Sequence, residues 1–192
     1  MRLAIRHTTR YSFQGRIVHG LQRLRLMPKE TQGQKILDWS MEYEGAREEL
    51  SYDDQNHNHV TLVSAIEGAE QVVVTCRGTV ETQDHAGVIG HHAGHLPIWS
   101  FLAETPLTKI GPKLRQLIAG VERSDEGMVA TLHNLGWVGF DISNGISPDP
   151  RYVRVATGRD YRDAAPITGI SFGAATENLT VDLAVEQQTQ DQ

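Results

Sequence analysis

A chain of 192 residues with 39% hydrophobic and 22% charged residues has the make-up of an ordinary globular protein, which sets disorder aside and leaves room for one domain or two small ones. Its net charge of −6 argues against nucleic acid as a partner, because phosphate binding needs a field of Lys and Arg. The single cysteine, Cys76, excludes an intramolecular disulfide, no apolar run approaches the roughly 18 residues that span a bilayer, and residues 1–13 alternate polar and apolar where a signal peptide would be continuous; a cytoplasmic protein with no membrane partner is expected.

The first eighty or so residues read as strands. Leu3, Ile5, His7, Thr9, Tyr11 and Phe13 share one face at period two, with Gly15 as the following turn. Leu21 to Met27 sets Leu24 and Leu26 opposite Arg23 and Arg25 and ends at Pro28, which cannot donate to a ladder. The basic cluster Arg16, Arg23, Arg25 and Lys29 reads as the solvent face of that strand. Ile36 to Tyr43, Glu49 to Tyr52, Val60 to Ile66 and Val72 to Val80 continue the pattern, separated by Gly33, Gly45, Asp53-Asp54 and Gly68. Short strands at this spacing predict an antiparallel sheet or sandwich. Residues 87–97 are rich in Gly and His; Ile98 to Glu104 and Pro112 to Ala119 then read as short helices, with Leu114, Leu117 and Ile118 at helical spacing and Gly120 as a C-cap. Gly136 to Ile142, Tyr152 to Ala156 and the alternation Leu179 to Val185 return to strand. Residues 187–192 are a polar tail.

Two blocks carry a family likeness: Met1 to Tyr11 continuing through Leu21 to Pro28, and Leu135-Gly-Trp-Val-Gly-Phe-Asp-Ile-Ser-Asn-Gly-Ile-Ser-Pro-Asp149 followed by Tyr152 to Pro166. The first resembles the bacterial transglutaminase N-terminal region, a β-rich domain, through Asp38-Trp39 and Val60 to Val63 to about Gly120. The second resembles the part of the papain-like transglutaminase core that carries the triad aspartate, and it places that aspartate at Asp141. The resemblance implies a fold that is α+β and β-dominated: an antiparallel N-terminal β domain over residues 1–85, a helical connector over 86–127, and the residual antiparallel sheet of a truncated core over 128–186.

The departure from the family is specific. Such cores open with a helix bearing the nucleophilic Cys and carry a His in a His-Ala-Trp-like stretch, and residues 121–136 contain neither. An internal deletion near Leu132-His133 is the simplest account. Acyl transfer or peptide cleavage requires a thiolate activated by a paired imidazole, and the aspartate only orients that imidazole. Asp141 is therefore expected to remain as a strand-end acceptor, and the chain to be inactive as a thiol acyl-transferase, a pseudoenzyme of a cysteine protease-like family.

Other candidates have plainer readings. Cys76 shares a face with Val72, Val74 and Val80, a core position that raises a thiol pKa. His133 precedes Asn-Leu and reads as a loop or helix-end residue. His85, His91, His92 and His95 invite a metal site, with His91, His92 and His95 closest together, but Gly87, Gly90 and Gly94 give no fixed geometry; no metal or cofactor is expected. His57 and His59 read as a polar hairpin turn facing water, Trp39, Trp99 and Trp137 as core anchors, and Asn144-Gly145 with Ser147-Pro148-Asp149 as a connector. An exposed edge on the truncated sheet predicts self-association as a homodimer, or an unidentified protein or peptide partner. Two alternatives stay open: an active enzyme whose Cys and His come from another chain or whose nucleophile is Cys76, and a metal-binding β module.

Overall fold

The computed structural model describes residues 1–91, 95–112, 116, 136–141, 143–173 and 177–188. Ten strands dominate it: β1 (Arg2–Phe13), β2 (His19–Leu24), β3 (Gln34–Glu44), β4 (Ala46–Asp53), β5 (His59–Ala65), β6 (Gln71–Thr82), β7 (Val88–Gly90), β8 (Trp137–Val138), β9 (Ile167–Phe172) and β10 (Glu177–Gln188). A 3-10 turn covers Ile98–Leu102 and one short helix, α1, covers Tyr161–Ala164. The protein is thus β-dominated and its sheets are antiparallel. The helix expected over 112–119 falls largely outside the described residues, as do Leu132 and His133.

Two four-stranded sheets face each other, one in the order β10-β1-β6-β3 and the other β4-β5-β2-β9. The period-two pattern of β1 dictates its burial: Leu3, Ile5, Thr9, Tyr11 and Phe13 lie inside and His7 is half-buried. Tyr11 and Phe13 meet Val72, Val74 and Cys76 of β6 and Leu24, Val63 and Ala46 of the opposite sheet in the main core. Fully burying side chains of this size contributes about 1.5–3 kcal/mol each, so this contact holds the sheets together. A second cluster, Leu3, Ile5 and Val80, is closed by Trp39 and by Val153 from the C-terminal third. Gly78 makes room for Trp39, its cross-strand partner: a Cβ there would collide with the Trp39 ring and the Asp38 carbonyl. Gly45 turns β3 into β4 at a φ of 69° that favours glycine.

The C-terminal strands do not stand apart from this sandwich. β10 pairs with β1 along its whole length, from Arg2 with Gln188 to Phe13 with Glu177, and β9 pairs with β2 from His19 with Phe172 to Leu24 with Ile167. Among the core anchors expected from the sequence, Trp39 packs against both clusters, but Trp99 is 70% exposed because the 3-10 turn that carries it buries none of its residues. Trp137 packs edge-on against Phe101, ring centroids 5.1 Å apart.

Candidate functional site

Residues 136–146 hang from the loop after β6. β8 pairs with β7, Gly139 N–H donates to Gly87 O at 2.8 Å, and the chain then turns back at Asp141. Asp141 N–H donates to Ile146 O at 2.8 Å, and Gly145 N–H returns to Asp141 O at 2.8 Å with Gly145 at a φ of 67°. The carboxylate completes the turn. Its Oδ1 accepts from the Asn144 backbone N–H at 3.1 Å, and its Oδ2 accepts from Asn144 Nδ2 and from the Tyr152 hydroxyl, each at 2.7 Å. The Tyr152 hydroxyl first, then the Asn144 donors, hold the Asp141 carboxyl below the usual carboxylate range, and the same contact raises the Tyr152 phenol. Asp141 closes a turn bridged to Ile146, and both of its carboxylate oxygens accept from Asn144 or Tyr152.

Cys76 occupies the expected core position with no exposed surface, and burial pushes its thiol up to about 12. The register adds a neighbour that periodicity alone does not give: His7 of β1 stands directly opposite Cys76. Burial lowers the His7 pKa, so both partners favour their neutral forms and no thiolate-imidazolium pair develops. Among the described residues no three of His, Cys, Asp or Glu converge as a metal site. His91 is exposed, His92 lies outside the described residues, and His95 meets His57 instead, Nε2 to Nε2 at 3.3 Å.

The polar turn after β4 departs most from its sequence reading. Asp54, Asn56 and Asn58 are buried, and so is Arg25, which was expected on a solvent face; Arg25 Nε donates to Asp54 Oδ2 at 3.0 Å. Burial alone would raise the Asp54 pKa. The backbone and side-chain amides of Asn58, the backbone N–H of Asn56 and the Arg25 guanidinium outweigh it and hold the carboxyl below its ordinary value. Lys29 joins this network, donating to Asn56 O at 2.5 Å and to Asn58 Oδ1 at 3.2 Å.

The network's purpose is to hold residues 150–157 as an extended strap. Asn58 Nδ2 donates to Thr157 O at 2.8 Å while its Oδ1 accepts from Thr157 N–H at 2.8 Å. Gln34 does the same three residues earlier: its Nε2 donates to Arg154 O and its Oε1 accepts from Arg154 N–H, both at 2.8 Å. Each buried side-chain amide thus imitates a neighbouring strand, and at Arg154 O the Lys29 backbone N–H adds a second bond at 3.0 Å. Thr82 Oγ1 secures the strap's start at Pro150 O, 2.5 Å away. Sequence reasoning missed both clamps; the one available signal was the crowding of amides in Asp54-Gln-Asn-His-Asn58. Beside the strap a cleft of about 310 Å³ runs between His85 and Val88 on one wall and Pro148, Tyr152 and Arg154 on the other.

Residues 3–81 match the bacterial transglutaminase-like N-terminal region. An uncharacterized protein of Mycobacterium tuberculosis is 40% identical over 50 residues, and one of Mycobacterium leprae is 39% identical over 46 residues. These stretches cover 26% and 24% of this chain, and in each case only 16% of the mycobacterial protein. The crystal structure of a candidate cysteine protease from Cytophaga hutchinsonii superposes with a TM-score of 0.56 over 100% of this chain and 92% of its own, at 17% identity. That likeness is one of fold.

Proposed function

We propose that this chain, whose residues 3–81 match the bacterial transglutaminase-like N-terminal region, is a transglutaminase-superfamily protein that works as a binding β-sandwich without acyl-transfer activity of its own. The observation that carries the reading is the fate of the two groups that chemistry would need. The sole thiol is a core residue that stays protonated near neutral pH, and Asp141 is committed to a turn by Asn144 and Tyr152. A thiol nucleophile must be both ionised and reachable, and among the described residues Asp141 hydrogen-bonds no imidazole that it could orient. The lone, fully buried cysteine is also in keeping with a cytoplasmic setting.

The test is a turnover assay with a glutamine-bearing peptide and a primary amine, reading ammonia release and amine incorporation. No release above a protein-free blank is expected at any chain concentration. Release that disappears in Asp141→Ala or Cys76→Ser would overturn the proposal. Release that rises with the square of concentration would point instead to a site completed by a second chain.

A further inference from the structure

The two large sheets have four edge strands, and three of them are guarded. β3 carries a register break between Ile36 and Asp38, β4 another between Glu48 and Leu50, and β9 is only six residues long. Bulges and brevity are the common devices that stop an edge from recruiting another strand. β10 has neither: it runs twelve residues in unbroken register against β1, and its other edge pairs with no described strand. Its row Leu179, Val181, Leu183 and Val185 lies on the same face as the buried Ile5 and Tyr11, yet these four side chains are 49–64% exposed.

Charge decides what such an edge can accept. β10 contains Glu177, Asp182 and Glu186 and no Lys, Arg or His. A second copy laid against it would bring two acidic strands to the strand spacing of about 4.8 Å, where like charges destabilise the pair. The strand already paired with β10 shows the complementary pattern: β1 places Arg2, Arg6 and Arg10 on the face of Asp182 and Glu186, with Arg6 opposite Ala184 and so diagonal to both acids, and Leu3, Ile5, Tyr11 and Phe13 with His7 and Thr9 on the other face.

We infer that the free edge of β10 is a docking strand for an extended peptide segment that alternates basic and apolar residues, added antiparallel to the sheet. Main-chain bonds along the edge supply affinity, the apolar row supplies one face, and Asp182 and Glu186 select the charge on the other. The acids therefore serve two ends, repelling a second copy while admitting a basic partner. This holds whether or not acyl transfer survives.

The experiment measures fluorescence anisotropy of a labelled ten-residue peptide alternating Arg and Val, against one alternating Glu and Val, with the full chain. The basic peptide is expected to bind at least about tenfold more tightly, with the preference shrinking as salt rises. The double variant Asp182→Lys/Glu186→Lys, whose changes lie on exposed positions, should invert the preference, and Leu183→Ser should weaken both peptides. Equal binding of the two peptides, no binding of either, or a preference unmoved by the charge reversal would each overturn the inference. So would light scattering that shows a dimer which the basic peptide fails to compete away, since the occupant would then be a second copy.

Discussion

Truncating Asn58 to alanine tests how the strap is held. The side chain is fully buried and makes four hydrogen bonds: two with the Thr157 backbone, one to Asp54 Oδ2 at 3.0 Å and one from Lys29. Asn58→Ala leaves each of those partners one bond short, the Asp54 carboxylate in a buried position and Thr157 and Lys29 in half-buried ones. A typical net loss of about 1 kcal/mol per bond, rising to 1–3 where a buried partner stays unsatisfied, predicts a destabilisation of roughly 3–5 kcal/mol. That is a large share of the 5–15 kcal/mol that usually holds a domain together. Urea unfolding followed by tryptophan fluorescence measures it, and hydrogen exchange locates it, because the Thr157 and Arg154 amides should lose protection first. Gln34→Ala removes the neighbouring clamp, and since both act on one strap the double variant should lose less than the sum of the singles. A loss below about 1 kcal/mol for Asn58→Ala, or strictly additive losses, would refute the idea that these amides carry the strap.

Two further outcomes follow from the buried charges and the thiol. Asp54 has a folded pKa below its unfolded value of about 4, so its contribution is present above that pH and drains away as pH falls through the folded value. Stability should accordingly drop below about pH 4, and Asp54→Asn should flatten that acid limb while costing about 3–5 kcal/mol at pH 7 by leaving Arg25 buried without its counter-charge; urea midpoints from pH 2 to 8 check both. Raising a thiol pKa from 9.0 to about 12 lowers its thiolate fraction near neutral pH roughly a thousandfold, before occlusion is counted. Native Cys76 should resist iodoacetamide at pH 7.5 and label readily only in urea; labelling at the rate of a free thiol under native conditions would contradict its burial.

The alternation in β1, β3, β5, β6 and β10 is legible from residues alone, because polar and apolar residues take turns along each strand and turn residues separate them, although β10 leaves both faces exposed. Partner choice is not: nothing local in Leu179 to Val185 says that it lies beside β1. Tyr152 to Ala156 reads as a strand by pattern, yet it joins no ladder; side-chain amides meet the backbone at Arg154, from Gln34, and at the following Thr157, from Asn58, a long-range match that periodicity cannot express. The turn from Asp54 to Asn58 reads as solvated because its residues are polar. Asp54, Asn56 and Asn58 are buried all the same, because the Asp54 carboxylate gathers the backbone N–H groups of Asn56 and Asn58 and the Arg25 guanidinium, so composition misleads where hydrogen-bond geometry decides. The turn after Asp141 was legible through Asn144-Gly145; the contact of Asp141 with Tyr152 needed the fold.

The pairing of β1 with β10 joins residues 164 positions apart or more along the chain, Phe13 with Glu177 being the nearest in sequence. Contacts so distant in sequence slow folding, and during synthesis they cannot form at all until the last strand leaves the ribosome. At roughly 5–20 residues per second, the growing chain holds β1 with one side open for on the order of ten seconds or more. Throughout that interval Leu3, Ile5, Tyr11 and Phe13 sit in a half-built sheet, so heat-shocked or overexpressing cells should yield insoluble material made mostly of ribosome-stalled and C-terminally shortened chains.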